Sequence, residues 1–159
     1  MIKINYKTMK LLYSAMIKII PGKSSIPILQ GVLFSEFEDG FTVRATNLDE
    51  SLSYTDGDCS GDSKTSFVIK RQDFKSLVDS MESSMSLEIN AEKDKVKINY
   101  VVDGGMNISS TMSVESAEVF PEQIVNRLNF QPINISTFLD AYRKALPAVS
   151  KDQNSPFRA

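Results

Sequence analysis

Histidine is absent from the 159 residues, and cysteine occurs once, at Cys59. The first absence removes Ser-His-Asp and Cys-His nucleophilic chemistry, imidazole general bases and the commonest zinc ligand. The second excludes an intrachain disulfide and leaves Cys59 as an incidental loop thiol. Long apolar runs are missing too: Ile26 to Phe34 is broken by Pro27 and Gln30, well short of the roughly 18 residues that a membrane span needs. With no signal-peptide pattern at the N-terminus, the reading is a cytoplasmic protein without a membrane partner. Acids are missing from residues 1–35, which carry Lys3, Lys7, Lys10, Lys18 and Lys23. Residues 36–62 reverse the balance, with eight acids against Arg44 alone. A net charge of −2 therefore conceals a chain polarised along its length, and the distribution is what a nucleic acid reads.

What is present is an ordinary globular composition, 42% hydrophobic and 24% charged, enough for one core of about 100 to 150 residues and an extension. Three short motifs imitate chemistry without its context. Gly22-Lys23-Ser24 matches the tail of a phosphate-binding loop, but Ile17 occupies the place of the first glycine. Pro21 and Pro27 also prevent a helix from opening at Ser24. The stretch Asp56 to Phe67 imitates a calcium loop, yet Phe67 stands where the bidentate Glu belongs, and strands flank it. Glu36 and Glu38 share a strand face with no nucleophile or metal-ligand cluster beside them, and read as charge on an exposed strand edge.

The hydrophobic periods alternate in a repeating order. Ile2 to Tyr6 alternates as a half-buried strand. Met9, Leu12, Tyr13, Met16, Ile19 and Ile20 then recur at helical spacing, with Pro21-Gly22 as the stop. Strands follow at Gly31–Phe37, Phe41–Thr46 and Ser51–Thr55, the first two joined by an Asp39-Gly40 hairpin signal. The order then restarts about 64 residues on: a strand at Ser66–Lys70, a helix over "RQDFKSLVDSM", and strands at Ser86–Ala91, Lys95–Val101 and Met106–Val114. A third copy begins with "FQPINI" as a strand, Ser136 as an N-cap, and a helix striped by Phe138, Tyr142, Ala145, Leu146 and Val149. The pattern predicts an α+β fold of two strand-helix-three-strand units, helices on one face of antiparallel sheets, over residues 1–125. Residues 126–159 read as the incomplete start of a second domain. The helix faces turned away from the stripes are basic, through Lys7, Lys10 and Lys18, then Arg71 and Lys75, then Arg143 and Lys144.

These segments resemble the N-terminal third of the bacterial sliding clamp, the beta subunit of DNA polymerase III. The resemblance is carried in order by "SIPILQGVLF", "ATNLDESL", "FVIKRQDFKSLVDSM", "EVFP" and "ALPAVSKDQNSP". It implies a non-enzymatic processivity factor that encircles duplex DNA and tethers the replicative polymerase, with no cofactor and no metal. In that setting Pro27 starts an outer strand, and Lys23 lies on a loop near the DNA path. Lys10, Lys18, Lys23, Arg71, Lys75 and Arg143 are the expected DNA-binding residues. The final strand of the first domain, with Ile108 and Met112, is expected at the subunit interface of a homodimer ring. The family's pocket for polymerase and clamp-loader peptides lies between its second and third domains, outside the matched stretch. Asn47 stands where the family often has an acid. Two alternatives remain open: a truncated clamp-like interaction module that does not encircle DNA, and a nuclease holding Mg²⁺ on acids such as Asp56 and Asp58.

Overall fold

Ile2 and Ile4 point inward from a strand whose other residues, Lys3 and Asn5, face solvent. The computed structural model describes residues 1–37, 40–56, 65–92, 94–102, 107–122 and 134–148. The chain divides into two compact units, Met1–Gln123 and Ile124–Ala159.

In the first unit, β1 (Ile2–Asn5) runs directly into α1 (Tyr6–Met16). Asn5 is extended and its side chain accepts from Thr8 N at 2.9 Å, satisfying a donor that the first helical turn leaves open. Met9, Leu12 and Met16 form the buried row of α1. Then come β2 (Gly31–Phe37), β3 (Gly40–Thr46) and β4 (Ser51–Asp56). The second repeat has β5 (Ser66–Lys70), α2 (Arg71–Asp79), β6 (Met85–Glu92), β7 (Lys95–Val102) and β8 (Asn107–Ser113). A two-residue strand, β9 (Glu115–Ser116), and a 3-10 turn at Ala117–Val119 complete the unit.

All pairings are antiparallel, and the two repeats exchange their leading strands. One sheet has the order β1-β6-β7-β8, the other β4-β3-β2-β5-β9. β1 thus completes the sheet of the second repeat, with Ile2 opposite Ile89 and Ile4 opposite Leu87. β5 completes the sheet of the first, with Phe67 opposite Phe34. Between the sheets lies a single core to which both helices contribute. An aromatic chain runs through it: Phe34 stacks on Phe67 at 5.6 Å, meets the edge of Phe74 at 6.1 Å, and Phe74 contacts Tyr13 at 5.6 Å. Those four rings come from β2, β5, α2 and α1. The five-stranded sheet also buries its outer face, where Leu33 and Val68 are covered by Ile28, Leu29 and Phe120.

The structure departs from the sequence reading in several places. Pro27 opens a 3-10 helix, Pro27–Gln30, rather than a strand, because its fixed φ suits a first helical position after extended Ile26. The strand begins at Gly31, where a Cβ would run into the side chain of Val68 and lie 3.0 Å from the carbonyl of Ile69. α1 ends at Met16, and residues through Ile20 continue as turns, with Ile19 N donating to Met16 O at 3.0 Å. Glu36 is not on an exposed edge. It lies on β2, a strand paired on both sides, buried and ion-paired with the α-ammonium of Met1, and it accepts from Thr65 Oγ1 at 3.0 Å. Asn47 keeps the acceptor role an acid would have: its Oδ1 takes Asp49 N at 3.0 Å and Glu50 N at 2.7 Å. Leu48 in this turn has a φ of 82°, an uncommon conformation for a residue with a branched side chain.

The second unit contributes α3 (Ile135–Ala145), capped by Asn134 rather than Ser136. Asn134 Oδ1 accepts from Ser136 N at 3.0 Å and Thr137 N at 3.2 Å. The strand expected over "FQPINI" does not include Asn134 and Ile135, which belong to the helix and its cap, and its earlier residues lie outside the described ones. So do most of the calcium-like loop, Cys59, Glu38 and Val149.

Because Phe34, in the first repeat, touches two rings of the second, Phe34→Ala is expected to lower the unfolding free energy by about 3 to 5 kcal/mol. Hydrogen exchange at β3 and β7 amides in urea should report one shared transition. Two separable transitions would show that the sheets hold independently.

Candidate nucleic-acid interface

α1 and α2 bury the faces that carry Met9, Leu12 and Met16 and Phe74, Leu77 and Val78. Their other faces follow from helical spacing. On α1 and the turn after it, Lys7, Lys10, Ser14 and Lys18 are exposed, with Leu11 at 62% exposure among them. On α2 the exposed row is Gln72, Lys75, Ser76 and Asp79. The two rows differ in charge. The α1 row is basic and free of acids, whereas Lys75 shares its row with Asp79.

The expected DNA-binding residues fall into three situations. Lys10, Lys18, Lys23 and Lys75 are exposed, and none is paired with a carboxylate among the described residues. Lys10 is partly oriented, its Nζ donating to Tyr6 Oη at 3.3 Å and lying 5.5 Å from that ring's centre. Arg71, by contrast, is half-buried, and its Nη1 donates to Ile20 O at 2.7 Å. It joins the first turn of α2 to the loop that follows α1, beside a depression of about 340 Å³ also lined by Gly22, Pro27 and Gln30. Arg143 belongs to α3, in the second unit, where its Nη1 lies 3.7 Å from Asp140 Oδ1 and both side chains are exposed. Lys7, which the sequence places on the same helix face, completes the α1 row. Lys3 does not join it, since its Nζ is 3.0 Å from Glu88 Oε1 across β1 and β6.

The proposed interface residues lie on β8, at one end of the four-stranded sheet. Ile108 is opposite Tyr100 and Met112 opposite Val96, and both partners are buried, so the two side chains share the core-facing side. Met112 packs against the margin of the core, and Ile108 remains 50% exposed. Beyond β8 no further strand pairs among the described residues. No group of acids or cysteines able to hold a metal ion, and no helix long and apolar enough to cross a membrane, occurs among them.

No protein-family model and no curated protein matches the chain. Solved structures do. The DNA polymerase sliding clamp from Bacillus subtilis is similar with a TM-score of 0.76 at 17% identity, over 97% of this chain and 41% of that one. The beta subunit from the DNA polymerase of Streptococcus pyogenes gives a TM-score of 0.77 at 16% identity, again over 97% and 41%. The DNA polymerase III beta subunit from Thermotoga maritima gives 0.73 at 20% identity, over 96% and 40%. The chain thus spans about 41% of the length of the first of these structures. Its two exchanged repeats, antiparallel sheets and paired helices are the fold of the bacterial sliding clamps.

Proposed function

We propose that the chain acts as a clamp segment that faces duplex DNA, a non-enzymatic processivity factor whose α1 row touches the phosphate backbone. The observation that carries this reading is the row of Lys7, Lys10 and Lys18, basic and without acids, on the free face of α1 and the turn after it in a clamp fold. Phosphate contacts hold the protein on DNA and carry no sequence information, so a tether built from a few lysines binds without stopping at any site. Lys23 in the adjoining loop and Lys75 on α2 extend the contact, and Arg143, on α3 of the second unit, is a separate candidate for a phosphate contact. Arg71 acts chiefly by fixing the loop that presents Lys23, since its Nη1 is committed to Ile20 O. Ring closure uses the free edge of β8, with Ile108 as the apolar contact. The replicative polymerase and its clamp loader are partners of the assembled ring.

Duplex affinity, followed by fluorescence anisotropy, is expected to fall with salt by a log–log slope of about −0.9 per neutralised phosphate. Lys10→Glu with Lys18→Glu should flatten that slope by about 2 without changing stability in urea. Arg71→Ala should instead lower stability by about 1 to 2 kcal/mol. Binding that ignores both salt and the lysine reversals would refute the assignment.

Self-association tests the β8 edge separately. Sedimentation over a range of concentrations should show a monomer or a weak dimer, with the dimer lost in Ile108→Lys. A tight oligomer that survives the substitution would place the contact on another surface.

A further inference from the structure

The buried carboxylate of Glu36 has a role apart from the nucleic-acid interface. Burying a charge costs free energy unless a group of opposite sign is buried with it. Here that group is the α-ammonium of Met1, which ion-pairs with Glu36 Oε1, while Oε2 accepts from Thr65 Oγ1 at 3.0 Å. The backbone of Glu36 is tied to the same neighbour, its N donating to Thr65 O at 2.8 Å. Among the described residues no lysine or arginine pairs with Glu36, and Lys3, close in sequence to Met1, is 3.0 Å from Glu88 Oε1 instead.

The ion pair joins the two sheets. Glu36 is on β2 in the five-stranded sheet, and Met1 leads into β1, an end strand of the four-stranded one. β1 has four residues and one neighbour, β6, so its pairing is short. It nonetheless supplies Ile2 and Ile4 to the shared core. One end of β1 is fixed by the Asn5 cap of α1, and the other by the charge on Met1.

We propose that the α-amine of Met1 is a maturation site, which must be free of any acyl group before β1 docks, so that a hydrolase removing an N-formyl group acts before the first unit closes. Water adds to the formamide carbon, the C–N bond breaks, and formic acid leaves as formate while its proton passes to the freed amine. A formyl or acetyl amide at the same place is neutral and bulkier than the ammonium. It leaves Glu36 buried without a counter-charge, and the conflict is relieved when β1 parts from β6. The edge of β6 is then bare, open to pairing with another strand. Because α1 follows β1 directly, the lysine row loses its anchor too. That last consequence rests on the DNA-facing reading, whereas the docking of β1 does not.

The test compares the full chain with a free α-amine and the same chain with an Nα-acetyl group, each with and without Glu36→Gln. Hydrogen exchange is read at the amides of β1 and β6, with no DNA present. Acetylation is expected to speed exchange over Ile2–Asn5 about tenfold, less than for a fully enclosed pair because Met1 is partly exposed. In Glu36→Gln, whose side chain is neutral, the acetyl group should change exchange less than about twofold, which separates loss of charge from steric displacement. Should the acetylated chain fail to fold at all, Glu36→Gln is expected to restore folding. Equal exchange in the free and acetylated chains, an acetyl effect of the same size in Glu36→Gln, or a folding failure that Glu36→Gln does not rescue would each overturn the proposal.

Discussion

The exchange of leading strands between the two repeats is the constraint on which the rest of the first unit depends. A strand, a helix and three strands give each repeat four strands, enough to close a sheet from its own residues alone. By lending β1 to the second repeat and β5 to the first, the chain keeps four repeat strands in each sheet but builds both sheets from both repeats and places both helices against one core. The aromatic contacts enforce the exchange at the level of side chains, since Phe34 stacks on Phe67 from the other repeat. Neither half can bury its rings without the other.

That arrangement also frees the helix faces on which the proposed function rests. Each helix has a buried side against the shared core, so its opposite side must be polar, and the chain chooses which sign of charge to place there. On α1 it is basic and free of acids, and on α2 the charges cancel. The acids meanwhile stand largely elsewhere: Glu88 and Glu92 on β6, Asp94 between β6 and β7, and Glu115 on β9. An acidic protein can in this way present a basic surface of limited extent. A limited extent suits a sliding tether, because each neutralised phosphate adds affinity and too much affinity would oppose movement.

The repeat order, the strands β1 to β8 and both helix stripes of the first unit were legible in the sequence, because alternation and helical spacing are local signals read directly from residues such as Ile2, Ile4, Met9 and Phe74, whereas the two-residue β9 was not. Pairing was not legible. Nothing in Ser66 to Lys70 says that its neighbour is β2 from the other repeat, since register and partner are set by contacts distant in sequence. Glu36 was misread for the same reason. Alternation put it on one face of a strand, but β2 is covered on both faces, so the polar residue at the end of its inner row meets the α-ammonium of Met1 instead of water. The basic row of α1 was visible from its lysines, whereas the engagement of Arg71 with Ile20 O depends on a turn whose path no spacing specifies.

The two sheets are related by the repeat yet end differently, and that difference sets how their outer faces are covered among the described residues. On the four-stranded sheet the outer residues of β7, Lys95 and Lys97, are exposed among the described residues, as expected of polar side chains on an uncovered strand face. The five-stranded sheet receives the chain after the second repeat is complete, through β9, the Ala117–Val119 turn and Phe120. Apolar Leu33 and Val68 are therefore acceptable on its outer face, and Arg44 can serve as a clamp on the departing backbone through Pro121 O. A cover this short spans only part of the sheet. Among the described residues it leaves β5 without a neighbour beside Ser66 and one buried donor of Arg44 without an acceptor, so the covered face is not closed as completely as the core between the sheets.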